Sequence, residues 1–277
     1  MMMPVPPLGP RSLDSETPNA ARMYDYYLGG AHNFGPDRDL AERARMVLPC
    51  VDALARLSRS WLRRVVIACL DAGIDQFLDL GSGIPTVGNV HEIVQERSPD
   101  GRVVYVDYEP VAYYDALKML QGNDNATILQ ADIRDPDSVL RSPEVAGLLD
   151  FSRPIGMLLA GVLLYVGDEH DPAGLVAAYR QPCAPGSHLA LSIITLDEVD
   201  PITHGQVLDL VNVYENANDQ LHVRGRDHFT SWFAGTTLLE PGVVPLPDWR
   251  PDNVLDGVDA DNPARLLGYG GVGRIPN

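Results

Sequence analysis

The sequence predicts an α/β fold: a doubly wound, mostly parallel sheet with an antiparallel edge, preceded by a helical cap. Three observations carry this prediction. The first 72 residues hold helical spacing and no strand-like run, whereas from Gln76 short apolar runs alternate with amphipathic stretches. Near the C-terminus two further strand-like runs, residues 237–244 and 265–269, lie close enough in sequence to pair antiparallel.

In chain order, the Pro-rich opening reads as a tail without fold over residues 1–16. Residues 17–72 read as the cap. There Gly29 and Gly30 close one helix, Pro36 and Asp37 open a second, and Asp52 is placed to N-cap a third. In that third helix Leu54, Leu57, Trp61, Leu62, Val65 and Cys69 recur at three- and four-residue steps, so one face is apolar. The remaining residues, 73–277, carry the sheet. Strands are expected at residues 77–80, 103–106, 127–130, 155–160 and 188–194, near-continuous apolar runs of the kind that parallel strands covered on both faces show. Late helices are expected over residues 208–214 and 227–233.

Composition narrows the function classes. Lys and Arg number 21 against 38 for Asp and Glu, a formal charge of -17, and such a field repels a phosphate backbone. Nucleic acid is therefore not the expected partner. The longest apolar run, residues 155–166, is too short to span a bilayer, and no leader pattern opens the chain. Cys50, Cys69 and Cys183 have neither CxxC nor metal-ligand spacing, so no disulfide framework and no metal are expected, and a cytoplasmic setting fits. The acidic run with Asp252, Asp256, Asp259 and Asp261 lacks the spacing of a calcium loop and reads as solvated.

The chemistry is expected where the first strand ends. Phe77-Leu78-Asp79-Leu80 runs into Gly81-Ser82-Gly83-Ile84-Pro85-Thr86, a glycine turn that is expected to feed a helix starting near Thr86. Glycines let the backbone approach a ligand, and a helix N-terminus offers unpaired N–H groups to an anion. The third glycine of a dinucleotide fingerprint is replaced by Thr86, and an acid in the position of Asp79 suits an ammonium better than a pyrophosphate. A nucleotide-dependent oxidoreductase is thereby disfavoured. The second strand ends at Asp107, followed by Tyr108, and the third is followed by Asp132 and Ile133. Three successive strands each closing on an Asp place Asp79, Asp107 and Asp132 on one rim with the glycine turn.

These motifs resemble the class I S-adenosylmethionine-dependent methyltransferases. Within that class the chain is similar to the actinobacterial family called domain of unknown function 574. The marks are Thr17-Pro18-Asn19-Ala20-Ala21-Arg22-Met23-Tyr24-Asp25-Tyr26-Tyr27-Leu28-Gly29-Gly30, the glycine turn with Asn89 and His91, Val104-Tyr105-Val106-Asp107, Ala131-Asp132-Ile133-Arg134-Asp135-Pro136, and Glu240-Pro241-Gly242 with Trp249-Arg250-Pro251. The resemblance runs from about Thr17 to the end. It implies a Rossmann-like sheet of seven strands and S-adenosylmethionine as cofactor. It further implies that Asp79, Gly81, Ser82 and Gly83 surround the methionine moiety, Asp107 with Tyr108 meets the ribose, Asp132 and Ile133 flank adenine, and Ala160 and Gly161 lie near the sulfonium.

Pro85 stands where the class often has another glycine, which removes one N–H donor from the turn. In the cap, Tyr24, Tyr27, Asn33 and Arg38 are expected to close over the cofactor or to shape the acceptor pocket. No Asp/Asn-Pro-Pro-aromatic motif follows the fourth strand and no Asp there would hold a divalent ion, so a small-molecule acceptor is expected. No catalytic acid or base is singled out, because the methyl donor carries its own leaving group. The rival is a protein that binds S-adenosylmethionine without turnover, since every motif concerns the cofactor and none the acceptor.

Overall fold

The computed structural model describes residues 13–86, 88–252 and 257–276. Most of the expected tail, and Asp256 of the acidic run, lie outside the described residues. Three helices come first, α1 (Ala20–Tyr27), α2 (Gly35–Val47) and α3 (Val51–Asp71). Asn19 caps α1, its side chain accepting from the Ala21 and Arg22 amides. The expected cap of α3 is corrected by two residues: Cys50 occupies the N-cap, and Asp52 sits inside the helix, where it accepts from Arg45 Nε at 3.0 Å.

The alternating part forms β1 (Gln76–Leu80), α4 (Val90–Arg97), β2 (Arg102–Asp107), α5 (Pro110–Met119), β3 (Ala126–Gln130), α6 (Pro136–Leu140), α7 (Pro143–Leu148), β4 (Gly156–Ala160), α8 (Pro172–Arg180) and β5 (His188–Ile194). After α9 (Pro201–Tyr214) and α10 (Arg226–Ser231) come β6 (Thr237–Leu238), β7 (Val244–Pro245) and β8 (Gly268–Arg274). The sheet runs β3-β2-β1-β4-β5-β8-β6, seven strands in line, and short β7 makes an eighth strand by pairing with β8. β1 to β5 are mutually parallel, and β8 enters antiparallel with Ser192 opposite Gly270. The fold class is the expected one, but the last strand is displaced. A 3-10 turn occupies Pro263–Leu266, and β8 begins only at Gly268.

Glycine is a poor strand former, yet here it is required. A Cβ on Gly270 would meet the Trp61 indole at 2.5 Å, and one on Gly273 would meet Thr236 Oγ1 at 2.2 Å. The strand lacks side chains at these positions, and bulky neighbours from α3 and the α10 region lie directly on its backbone.

Side chains alternate across the sheet, and this alternation places the site. Phe77 of β1, Val103 and Tyr105 of β2, Leu158 of β4 and Ala190 of β5 pack with α1 to α4 and α9 in one core. Leu78, Leu80, Val104, Val106, Met157 and Leu159 pack with α6, α7, α8 and α10 in the other. By the same period of two, Asp79, Asp107, Ala160 and Ser192 face the side carrying the first three helices.

A buried ionic cluster fixes those helices there. Arg22 of α1 donates to Asp37 of α2 at 2.8 Å and to Glu109, ahead of α5, at 2.7 Å, with all three side chains at most 5% exposed. Its third donor reaches the Thr17 carbonyl at 2.6 Å. A guanidinium supplies the fork that two carboxylates and a carbonyl require together.

Candidate functional site

Between β1 and β4 the strand order reverses, and at the carboxyl ends of the strands a cavity of about 1050 Å³, counted to its open mouth, separates the sheet from α1 and α3. All ten residues expected around a cofactor line it: Asp79, Gly81, Ser82 and Gly83 after β1, Asp107 and Tyr108 after β2, Asp132 and Ile133 after β3, Ala160 and Gly161 after β4.

The backbone makes this approach possible at two glycines. Gly81 has φ +72°, and a Cβ there would strike Val162 Cγ2 at 2.2 Å. Gly161 has φ +67°, again the left-handed region where a side chain is strained.

The glycine turn does not work as expected from its pattern. Its amides are already engaged: Gly81 and Ser82 donate to the Val106 carbonyl at 2.8 and 3.1 Å, and Gly83 donates to Asp107 Oδ2 at 2.7 Å. The helix begins at Val90 and not near Thr86; Asn89 is its cap, in a capping box with Glu92. The turn therefore offers shape, and an anion must find its positive partner elsewhere.

Among the described residues, Arg59 of α3 and Arg134 are the cations that line the cavity, and Arg59 stands at the Asp79 end. Arg59 donates to Thr86 Oγ1 at 3.2 Å and lowers the proton affinity of Asp79 electrostatically. The Asp79 carboxylate is 4% exposed and accepts no hydrogen bond from the described residues. Burial pushes its pKa up to about 7, with neighbouring Asp107 adding to the rise. Asp107 is likewise raised by burial, to about 6, although it accepts from the amides of Gly83 and Glu109.

At the far end Asp132 is held by Arg134, whose Nε donates to both carboxylate oxygens at 2.9 and 3.1 Å. Tyr108 donates to Asp219, and the Asn19 amide donates to both of them, at 3.1 Å to the Tyr108 hydroxyl and 3.2 Å to the Asp219 carboxylate. This cluster joins the start of α1 to the loop after α9 across the cavity rim.

Of the cap residues, Tyr24 lines the cavity and Tyr27 lines an adjoining chamber. Asn33 and Arg38 line neither. Asn33 donates to Asp25 at 2.8 Å, and Arg38 donates back to the Asn33 carbonyl at 2.9 Å, so the pair ties the α1–α2 connection together. Arg59, Asp219, Asn19 and Tyr165 belong to the site and were not anticipated. Arg59 was readable in principle, since Arg56, Arg59 and Arg63 fall on the polar face of a helix whose apolar stripe is plain. Asp219, in an irregular loop, leaves no such mark. Among the described residues no group of three or more His, Cys, Asp or Glu side chains is placed to hold a metal, and no helix is long and apolar enough to cross a membrane.

The fold and the rim of acids define a Rossmann-like methyltransferase architecture, and comparison with known proteins agrees. The family model for S-adenosyl methyltransferases matches residues 8–276. A solved structure from Thermobifida fusca YX, described as "a putative methyltransferase", is 39% identical with TM-score 0.86, covering 94% of this chain and 96% of its own. A structure of the domain of unknown function 574 family from Streptomyces avermitilis MA-4680 is 34% identical with TM-score 0.88, covering 95% and 99%. An O-methyltransferase family protein from Burkholderia thailandensis shares the fold at 17% identity and TM-score 0.53, covering 95% and 65%. No curated protein matches the chain. The chain belongs to the S-adenosyl methyltransferase family, whose name implies S-adenosylmethionine as methyl donor.

Proposed function

We propose that this protein binds S-adenosylmethionine in the cavity at the carboxyl ends of β1 to β4 and transfers its methyl group to a small-molecule acceptor in the cytoplasm. The observation that carries the reading is the pairing of Asp79 with Arg59 at one end of the cavity. A buried, unbonded carboxylate beside a guanidinium matches the ammonium and carboxylate of an amino-acid terminus. Asp107, already fixed by two amides, retains acceptor capacity for ribose hydroxyls. Ile133 and the Asp132 carboxylate present an apolar surface and an acceptor to a base.

S-adenosylmethionine, when bound, supplies a methyl carbon on a sulfonium that already carries its leaving group. What the protein's residues contribute is binding, alignment and exclusion of water. The helix α1, clamped by Arg22, closes one side of the cavity with Ala20, Ala21 and Tyr24. Alignment alone accounts for several kcal/mol of rate acceleration, so the reading needs no dedicated base.

The test is incubation with S-adenosylmethionine labelled in the methyl group and a small-molecule extract of the host. Repeated turnover of label into an extractable product supports the reading. Tight cofactor binding with no label transferred to any fraction replaces it with a non-catalytic binding role.

A further inference from the structure

Resting on that reading, we propose that the acceptor is an uncharged, flat and largely apolar molecule, held in the chamber that continues from the cofactor cavity behind Gly161. This chamber measures about 550 Å³ to its mouth, within the size range of small-molecule pockets. Tyr24, Ser58, Gly161 and Tyr165 line both spaces, so one wall is common to the two ligands.

The division of charge between the spaces is what identifies the occupant. Asp79, Asp107, Asp132, Asp219, Arg59 and Arg134 all line the cofactor cavity. No charged side chain lines the chamber among the described residues; Val51, Leu54, Ile194, Leu210 and Leu246 belong to its apolar wall. An ion moved there would lose its hydration without gaining a counter-charge, which costs several kcal/mol. A neutral apolar molecule loses nothing by the same move.

Flatness follows from the aromatic walls. The rings of Tyr165 and Tyr214, both lining the chamber, lie 27° from parallel with centroids 6.1 Å apart. Polar handles are few and neutral. The Tyr27 and Tyr214 hydroxyls share a hydrogen bond of 3.2 Å, and the Tyr24 hydroxyl donates to the Ala55 carbonyl at 3.1 Å. Burial raises the pKa of Tyr24, Tyr27, Tyr165 and Tyr214, so these hydroxyls stay protonated at neutral pH; Asp52 acts on Tyr27, and Asp219 on Tyr165 and Tyr214, from outside the chamber. The chamber thus offers neutral hydroxyls, those of Ser58 and Ser192 among them, and aromatic surface, and among the described residues no charged partner for a carboxylate, phosphate or ammonium.

The experiment uses wild-type protein saturated with S-adenosylhomocysteine and four bicyclic probes of one shape. These are 2-naphthol and quinoline, neutral at pH 7, 2-naphthoate as anion, and 2-naphthylmethylammonium as cation. Calorimetry should show both neutral probes binding beside the nucleoside at least tenfold more tightly than either ion. Ser192→Leu and Ala55→Phe, which fill the chamber from β5 and from α3, should each lower neutral-probe affinity at least tenfold and change S-adenosylhomocysteine affinity less than twofold. Equal binding of the charged probes, displacement of S-adenosylhomocysteine by the neutral ones, or indifference to whichever filling variant folds overturns the proposal. Should S-adenosylhomocysteine itself fail to bind, the cofactor reading falls, and the same probe series on the free protein still decides what the chamber accepts.

Discussion

Asp79→Asn separates binding from stability in a way that a purely structural carboxylate would not. In the free protein the carboxyl group titrates at about 7, raised by burial. A ligand ammonium requires the ionised form, so affinity must weaken as the pH falls below that value. For one proton released on binding, a group at pKa 7 makes affinity on the order of tenfold weaker at pH 6 than at pH 8. Asp107, at about 6, adds a factor of roughly two. Titration of S-adenosylhomocysteine by calorimetry at pH 6, 7 and 8 should therefore show a change of about twentyfold in the wild type, with only the twofold part left in Asp79→Asn.

Stability moves the other way. An acid whose pKa is raised on folding contributes stability that is complete below its unfolded value, 3.8 here, and is lost as the pH rises through about 7. Asn carries no such penalty. Without ligand, Asp79→Asn should thus be the more stable protein, and its advantage should grow by about 1 kcal/mol between pH 6 and pH 8, a further 2–4 °C in Tm. A variant that binds S-adenosylhomocysteine as tightly as the wild type, with the same pH dependence, would falsify the assignment of Asp79 to the ligand's cationic end. A variant that melts lower at pH 8 would show that Asp79 holds the fold together.

The other expectations concern single residues. Arg59→Ala should weaken S-adenosylhomocysteine binding by about ten- to a hundredfold, the worth of a charge-assisted hydrogen bond, and leave binding of decarboxylated S-adenosylmethionine within twofold; equal losses for the two ligands would show that Arg59 does not meet the carboxylate. Asp107→Ala should cost about ten- to a hundredfold in affinity and also lower Tm, because the Gly83 and Glu109 amides lose their acceptor; unchanged affinity in a folded variant refutes the ribose assignment. Arg22→Met leaves the Asp37 and Glu109 carboxylates buried without their cation and should cost about 3–5 kcal/mol in urea unfolding; a loss below about 1 kcal/mol would mean that the cluster does not anchor α1 and α2.

The sheet and the rim of acids were legible because both depend on local pattern. The first three parallel strands are apolar runs with an Asp at or beside the carboxyl end, and period two then fixes which side Asp79 and Asp107 face. The last strand was misplaced for a reason equally physical. Gly268, Gly270, Gly271 and Gly273 read locally as turn residues, and only the side chains of Leu246, Trp61, Val243, Phe233 and Thr236 packed against them explain why a strand there must lack side chains. Arg59 was hidden by its helix, whose apolar face alone carried the prediction. Asn33 and Arg38 lie outside both spaces. Polar residues beside a tyrosine cluster suggested a ligand, and they turn out to bond to each other and to Asp25. No motif announces the neutral chamber either, for its walls come from α1, α3, β5, α9 and the loops between them.

The claim on which the rest depends is that the amino-acid end of the nucleoside lies between Arg59 and Asp79 and its ribose against Asp107. A crystal structure of the protein grown with S-adenosylhomocysteine tests this directly. The account predicts density in the cavity at the carboxyl ends of β1 to β4, with the ligand ammonium within hydrogen-bond distance of Asp79, the carboxylate on Arg59 and both ribose hydroxyls on Asp107. Density elsewhere, or a nucleoside in the cavity with its amino-acid end turned away from Arg59 and Asp79, would contradict it.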